Sequence, residues 1–194
     1  MSGYLIFLAG LQWFIGLLAA ESWTPDYSNR IDYVSELGIW EMAALYNTSI
    51  FILGILIVIA ACFLYQEGKA RPFTVLLVLT GIGAIGLGIF PGYAQPMHSI
   101  ATLIAILAGT LSAITSVQLQ KKPMYFISLI LGLVSLVSVI IFFPYLGLPT
   151  GATETFLGMA KGSMERWAIY PILAWAISFG SYLIGSAEAN PNMM

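Results

Sequence analysis

The sequence predicts an all-α membrane protein, a polytopic bundle of six transmembrane helices. Hydrophobic residues make up 59% of the 194 residues and charged residues 8%, whereas ordinary soluble domains contain roughly half and a quarter. Since so few polar side chains cannot cover a water-soluble fold, most of the apolar surface must face lipid. Six apolar segments also approach the length of about 20 residues that a helix needs to cross the bilayer.

The six segments follow one another along a single integral membrane domain, residues 1–194. No Lys or Arg precedes the first segment and its end is a weak cleavage site, so we expect a retained helix rather than a removed signal peptide. Each later segment begins or ends at a short cluster of Pro, Gly or charged residues. In order, the predicted helices are approximately Tyr4 to Ala20, Met42 to Tyr65, Phe73 to Phe90, His98 to Leu119, Met124 to Tyr145 and Trp167 to Ser186.

The loops between the helices differ in charge, which predicts an orientation. The two short turns "QEGKARP" and "QKKP" contain Lys69, Arg71, Lys121 and Lys122, and basic residues favour the cytoplasmic side. We therefore expect both termini to be cytoplasmic in a plasma membrane. Seven of the nine acidic residues fall on the opposite, outer side: Glu21, Asp26, Asp32, Glu36, Glu41, Glu154 and Glu165.

Small residues recur every four positions in two of the helices. Such stripes let membrane helices approach closely, so they are predicted to be packing seams. They are Thr80, Ala84 and Gly88 in the third helix, and Ala101, Ala105, Gly109 and Ala113 in the fourth.

Polar residues at membrane depth are few, and apart from Gln12 in the first helix they share one level. Burying such groups in the bilayer is costly, so each is a candidate for function. Because these other residues lie near the outer helix ends, we predict one outward-facing polar pocket that gathers them. The candidate ligand-binding residues are His98, Asn47, Arg166, Glu165, Asp32 and Glu36, with Ser35 at the same level.

The first outer loop is predicted to be ordered. Asp32, Ser35 and Glu36 are three or four residues apart, which places them on one face of a helix. Gly38 is suited to ending that helix before the second membrane segment. We expect a short interfacial helix or an ordered re-entrant loop.

His98 is the only histidine of the chain, and four roles are open to it. It could ligate a metal with Asp32, Glu36 or Glu165, or act as a general base with Ser35 as the nucleophile and a carboxylate such as Glu36 to orient it. It could also cap the fourth helix, or contact a ligand without catalysis. Arg166 suits an anionic group such as a lipid phosphate, and the alternative is a snorkelling arginine.

Three stretches resemble a known family of prokaryotic six-helix membrane proteins, domain-of-unknown-function family 998. They are "DYVSELGIWEMAALYNTSIFILGIL", "GIFPGYAQPMHSIATLIA" and "ERWAIYPILAW". The resemblance covers the whole chain in helix number and spacing, and it implies a topology and a site position but no reaction. Its motifs fall on Ser35, Leu37, Gly38, Asn47, Phe90, Pro91, His98 and Arg166.

Three functions are compatible with these features. The first is an integral membrane protein whose polar pocket binds a lipid headgroup or a small polar ligand, and the second is an accessory subunit of a larger membrane complex. The third is an intramembrane lipid hydrolase with His98, Ser35 and Glu36 as candidate catalytic residues. The expected partners are membrane lipids and other membrane-protein subunits. The sequence predicts no cofactor or resident metal, and the absence of a basic patch argues against nucleic acid.

Overall fold

Six long helices follow one another in the computed structural model, which describes residues 1–189. Each is long and apolar enough to span a membrane, so the predicted fold class is confirmed. Their bounds are α1 Ser2–Trp23, α2 Ala43–Gln66, α3 Arg71–Ile89, α4 Met97–Thr115, α5 Met124–Phe142 and α6 Lys161–Ala189. The shorter elements are 3₁₀ helices at Val34–Gly38, Ser116–Leu119 and Phe143–Tyr145, and the strands β1 (Thr155–Phe156) and β2 (Met159–Ala160), which pair antiparallel.

The helices form a closed ring in which each packs against its neighbours in the sequence and α6 returns to pack against α1. Because consecutive helices run in opposite directions, the connecting loops gather at two ends. One end, here called the polar end, carries residues 24–42, 90–96 and 143–160. The opposite end carries the short turns with Lys69 and Lys121.

Apolar side chains occupy both the interior and the outer surface of the ring. The interior contains buried aromatic residues such as Phe73, Trp175 and Phe179. The outside carries exposed large residues, including Ile15, Val75 and Ile130. A continuous exposed apolar surface of this kind needs lipid around it.

Gly83 and Gly86 of α3 let its backbone approach the predicted small-residue stripe of α4 closely, whereas Gly88 of the predicted α3 stripe faces α2. A Cβ added to Gly83 would lie 2.5 Å from the backbone nitrogen of Ala105, and one added to Gly86 would lie 2.9 Å from the Cβ of Ala101. Gly109 of α4 faces Ile172 of α6. These faces are therefore used for packing within the chain.

The sixth helix begins six residues before the predicted start at Trp167, so that boundary is wrong. Its first turns contain charged residues and a glycine, which a hydropathy pattern assigns to a loop. They remain helical because the charges have partners inside the fold. Gly162 is needed there, since a Cβ at this position would overlap the carbonyl oxygen of Asp32. The backbone N–H of Ser163 also donates to the carbonyl of Arg30 at 3.1 Å.

The first loop is ordered, as predicted, and its 3₁₀ helix Val34–Gly38 lies against α2 and α6. Within this helix Val34 and Leu37 are fully buried. The backbone N–H of Tyr33 donates to Glu36 Oε2 at 3.2 Å at the helix start. This packing fixes Ser35 and Glu36 beside the interior of the ring.

Candidate functional site

A cavity of about 670 Å³, here called the outer cavity, lies at the polar end between the 3₁₀ helix Val34–Gly38, α4, the end of α5 and α6. Its volume is within the range of roughly 300–1,000 Å³ that is usual for small-molecule sites. Four of the residues predicted from the sequence line it together: Ser35, Glu36, His98 and Glu165. The structure thus brings these four side chains to one cavity wall.

The outer cavity is amphipathic. Besides the four polar residues named above, Gln95, Ser99, Thr102 and Thr150 contribute polar side chains. The remaining wall is largely apolar and includes Leu103, Leu107, Val139, Phe142, Phe143 and Leu146. Leu103, Phe143 and Leu146 are also exposed on the surface of the ring. The apolar part of the cavity thus continues to the surface that faces lipid.

His98 contributes a hydrogen-bond acceptor to this cavity. Its Nδ1 lies 2.8 Å from the carbonyl oxygen of Phe90. Because a carbonyl only accepts, Nδ1 must carry the hydrogen, and a neutral ring then has a lone pair on Nε2. Within residues 1–189 the structure gives Nε2 no hydrogen-bond partner. The turn between α3 and α4 therefore fixes both the ring and its tautomer.

Glu165 is the most buried acidic side chain of the cavity wall, with 4% of its surface exposed. Its Oε2 accepts the backbone N–H of Val34 at 2.5 Å, which ties α6 to the first loop. The two salt bridges found in the described part of the chain are Lys161–Glu36 and Arg166–Glu21, so neither includes Glu165. Glu165 thus lines the cavity as a carboxyl group without a cationic side chain against it.

Glu36, in contrast, is neutralised by a buried lysine. Lys161 Nζ lies 2.8 Å from Glu36 Oε1 and donates to the carbonyl oxygen of Pro149, also at 2.8 Å. The same nitrogen lies 4.2 Å from the centroid of the Tyr33 ring. Lys161 has no exposed surface. It joins the first loop, the segment before the β-hairpin and α6 at one point.

Arg166 lies outside the cavity and is bound by the last turn of α1 and by the first loop. Its Nη2 is 2.7 Å from Glu21 Oε1, and its Nη1 donates to the carbonyl oxygens of Asn29 at 2.7 Å and Gly162 at 2.9 Å. The Tyr27 hydroxyl also accepts from Nη2. A guanidinium group with this many internal acceptors is committed to holding the loop on α6.

Two neutral tyrosines, Tyr27 and Tyr33, add further hydrogen bonds at the polar end. Burial is the main cause that raises the pKa of Tyr27, and it raises the pKa of Tyr33 in the same way. Both hydroxyls therefore stay protonated at neutral pH and act as donors. Tyr27 donates to the carbonyl of Tyr33 at 3.0 Å, and Tyr33 donates to the carbonyl of Tyr145.

Asn47 and Asp32 are also outside the cavity wall. Asn47 Nδ2 donates to the carbonyl of Gly38 at 2.9 Å and so ties the 3₁₀ helix to α2. Asp32 Oδ2 accepts the backbone N–H of Ser28 at 2.8 Å. Of the seven residues predicted to share a pocket, Asp32, Asn47 and Arg166 instead hold the polar end together.

A second, smaller cavity of about 90 Å³, here called the inner cavity, lies deeper in the ring. It shares Ser35, Thr102, Ile106 and Glu165 with the outer cavity, so the two adjoin at these residues. Its lining is mainly apolar and includes Trp13, whose buried Nε1 has no partner among the described residues. No group of three or more His, Cys, Asp or Glu within residues 1–189 is arranged to hold a metal ion.

The fold and the site define the class: a multi-pass helical membrane protein with an amphipathic cavity at one end. The family model described as "Protein of unknown function (DUF998)" matches residues 7–182, and the chain belongs to that family. The resemblance drawn from the sequence motifs is thereby confirmed. Neither a search of curated proteins nor a search of solved structures returns a significant match.

Sequence reasoning missed several residues that build the site, above all Lys161, Glu21, Tyr27 and Tyr33. Of these residues, only Lys161 could have been found from a sequence pattern. It lies four residues before Glu165 and therefore shares a helix face with it. The acidic partners of the two cations come from the end of α1 and from the first loop, up to 145 positions away. No pattern in a single sequence indicates pairs at that separation.

Proposed function

We propose that the protein binds an amphipathic, lipid-like molecule in the outer cavity. The polar end of this molecule lies against Ser35, His98 and Glu165, and its apolar part follows the wall formed by α4 and α5. The observation that carries the proposal is the continuity of one cavity from a buried polar wall to exposed apolar residues such as Leu103 and Leu146. Ligand sites combine these features, a mainly apolar lining and a few convergent polar groups.

The packing of the helices supports entry from the membrane. Among helices adjacent in the sequence, α4 and α5 pack together least extensively. Leu103 and Leu107 of α4, with Val139 and Phe142 of α5, line the cavity at this junction. A lipid leaving the bilayer would keep its acyl chain among apolar side chains throughout, so no polar barrier opposes its entry.

The double substitution L103W/L107W tests this proposal. The two indoles narrow the apolar wall, so the purified protein is expected to retain at least about tenfold less lipid, a change worth about 1.4 kcal/mol. Native mass spectrometry of the protein in mild detergent measures the retained lipid. The matched control is L111W/L133W, which places the same change at two exposed leucines of α4 and α5 that line neither cavity. Equal lipid retention in both variants would contradict the proposal.

We place the polar end on the outer face of the plasma membrane, with both termini in the cytoplasm. The four cations Lys69, Arg71, Lys121 and Lys122 at the opposite end are outside the two salt bridges of the described residues. At the polar end, Lys161 and Arg166 are neutralised inside the fold and Arg30 alone is exposed. The accessible basic residues therefore favour this orientation.

Cysteine labelling on whole cells checks the orientation. Cys62 is exposed, so it is first replaced by serine, and a single cysteine is then placed at Glu154 or at Lys121, which are exposed at opposite ends. A membrane-impermeant maleimide is expected to label E154C on intact cells and K121C only after lysis. The reverse pattern would invert the topology.

The lipid hydrolase and the accessory subunit remain predictions. Ser35 and His98 line the same cavity, but the structure contains no hydrogen bond between them within residues 1–189. The small-residue faces that suggested a partner subunit are used within the ring.

A further inference from the structure

The walls of both cavities contain carboxyl groups but no cation. All seven Lys and Arg residues are absent from the two linings. The two that lie nearest along α6, Lys161 and Arg166, are bound to Glu36 and Glu21. A phosphate group in the outer cavity would therefore lose its water without gaining a positive partner, which is strongly unfavourable.

Several polar groups of the cavity wall are hydrogen-bond acceptors. In the neutral ring of His98, Nε2 has the lone pair when Nδ1 donates to the carbonyl of Phe90. Glu165 is 4% exposed and lines both cavities without a cation of its own. Ser99 and Thr102 already use their hydroxyl hydrogens within the chain, as donors to Gln95 Oε1 and to the carbonyl of His98. A ligand that donates hydrogen bonds is complementary to these acceptors.

The wall also contains aromatic rings that suit a positive charge. Phe142 and Phe143 line the outer cavity, whereas the Tyr33 ring, which also lines it, already lies against Lys161 Nζ. Phe142 is stacked on Tyr145 with ring centroids 5.9 Å apart, which fixes its position. Aromatic faces attract ammonium groups, and the attraction is stronger when the cation is removed from water.

Resting on the proposed function, we infer that the molecule bound in the outer cavity carries a cationic ammonium headgroup, which lies between Glu165 and His98 Nε2. The ammonium group supplies the positive charge that Glu165 lacks, and its N–H groups match the acceptors on the wall. A buried carboxylate and a buried ammonium group compensate one another where either alone would be costly. The headgroup thus differs from the anionic group that Arg166 alone would suggest.

Three probes of equal chain length test the inference: dodecylamine, dodecan-1-ol and dodecyl phosphate. Their binding is measured by native mass spectrometry at equal mole fraction in a nonionic detergent, for the wild-type protein and for E165Q. Glutamine retains an oxygen for the Val34 N–H but carries no charge. Wild-type protein is expected to prefer dodecylamine, and E165Q is expected to lower its affinity for dodecylamine by roughly 30-fold or more while leaving dodecan-1-ol unchanged.

The control variant is E154Q, the same change at an exposed acid of the polar end that lines neither cavity. It should bind all three probes as the wild-type protein does. Preference for dodecyl phosphate, or equal binding of all three probes by wild-type protein, overturns the inference whether or not E165Q folds. If the wild-type protein does not prefer dodecylamine but L103W/L107W still retains less lipid than wild type, the proposed function stands without the inference. If wild-type protein retains no lipid and binds no probe, both fail.

Discussion

Replacing Lys161 by methionine is expected to lower the free energy of unfolding by about 3–5 kcal/mol, the usual effect of removing one partner of a buried ion pair. The substitution keeps an unbranched side chain of similar length, so it tests the charge rather than the volume. Thermal unfolding of the purified protein in detergent, followed by circular dichroism, measures the loss.

The size of this effect follows from what the ammonium group of Lys161 contacts. It lies 2.8 Å from Glu36 Oε1 and 2.8 Å from the carbonyl oxygen of Pro149, with no exposed surface. Without it the Glu36 carboxylate stays buried and unpaired, since Oε2 receives only the N–H of Tyr33. An unpaired charge in such surroundings costs more than the lost hydrogen bonds themselves.

Two further variants separate charge from packing. The double variant K161M/E36Q removes both charges, and it is expected to recover at least half of the stability lost in K161M because no unpaired charge remains. K121M makes the same substitution at an exposed lysine and should change stability by less than about 0.5 kcal/mol. A double variant as unstable as K161M would show that the ion pair is not the cause.

The fold was predictable because a single strong signal determines it. Long apolar runs must be helices in a bilayer, where every backbone group needs an internal partner. The error at the start of α6 has the opposite origin. Residues 161–166 are mainly polar in composition but mostly buried in the structure, and their ion-pair partners are Glu36 of the first loop and Glu21 at the end of α1. Hydropathy measures the cost of burying a charge and contains no information on a distant residue that offsets it.

The sequence predicted the level of the site residues along their helices, but only partly which of them face the cavity. Ser35, Glu36, His98 and Glu165 do line one cavity, because helix geometry fixes the level of each along its element. Direction around the helix axis separates Glu165 from Arg166, which are neighbours in sequence but point about 100° apart. Glu165 therefore faces the ring interior while Arg166 binds Glu21. Only the packing of the helices decides which of two adjacent residues faces the cavity.

The substitution of Arg166 by lysine is expected to destabilise the protein by about 2–4 kcal/mol even though the charge is kept. The guanidinium group reaches acceptors in several directions at once, among them Glu21, the carbonyl of Asn29 and the carbonyl of Gly162. An ammonium group is a point charge that cannot satisfy this spread, so buried acceptors lose their donors. The conservative change R30K, at an exposed arginine, is the matched control for thermal unfolding and should be close to neutral.

The same variant distinguishes a structural arginine from one that binds a ligand. Arg166 lines neither cavity, and its donors are directed at the first loop. Below its lowered unfolding temperature, R166K is therefore expected to retain lipid and to bind dodecylamine within about twofold of wild type, whereas E165Q loses that binding. Native mass spectrometry of the two variants side by side measures both quantities. Loss of dodecylamine binding in R166K with unchanged thermal stability would show that Arg166 belongs to the ligand site. A residue that only holds the first loop on α6 cannot change the affinity for a ligand without changing the stability of the protein.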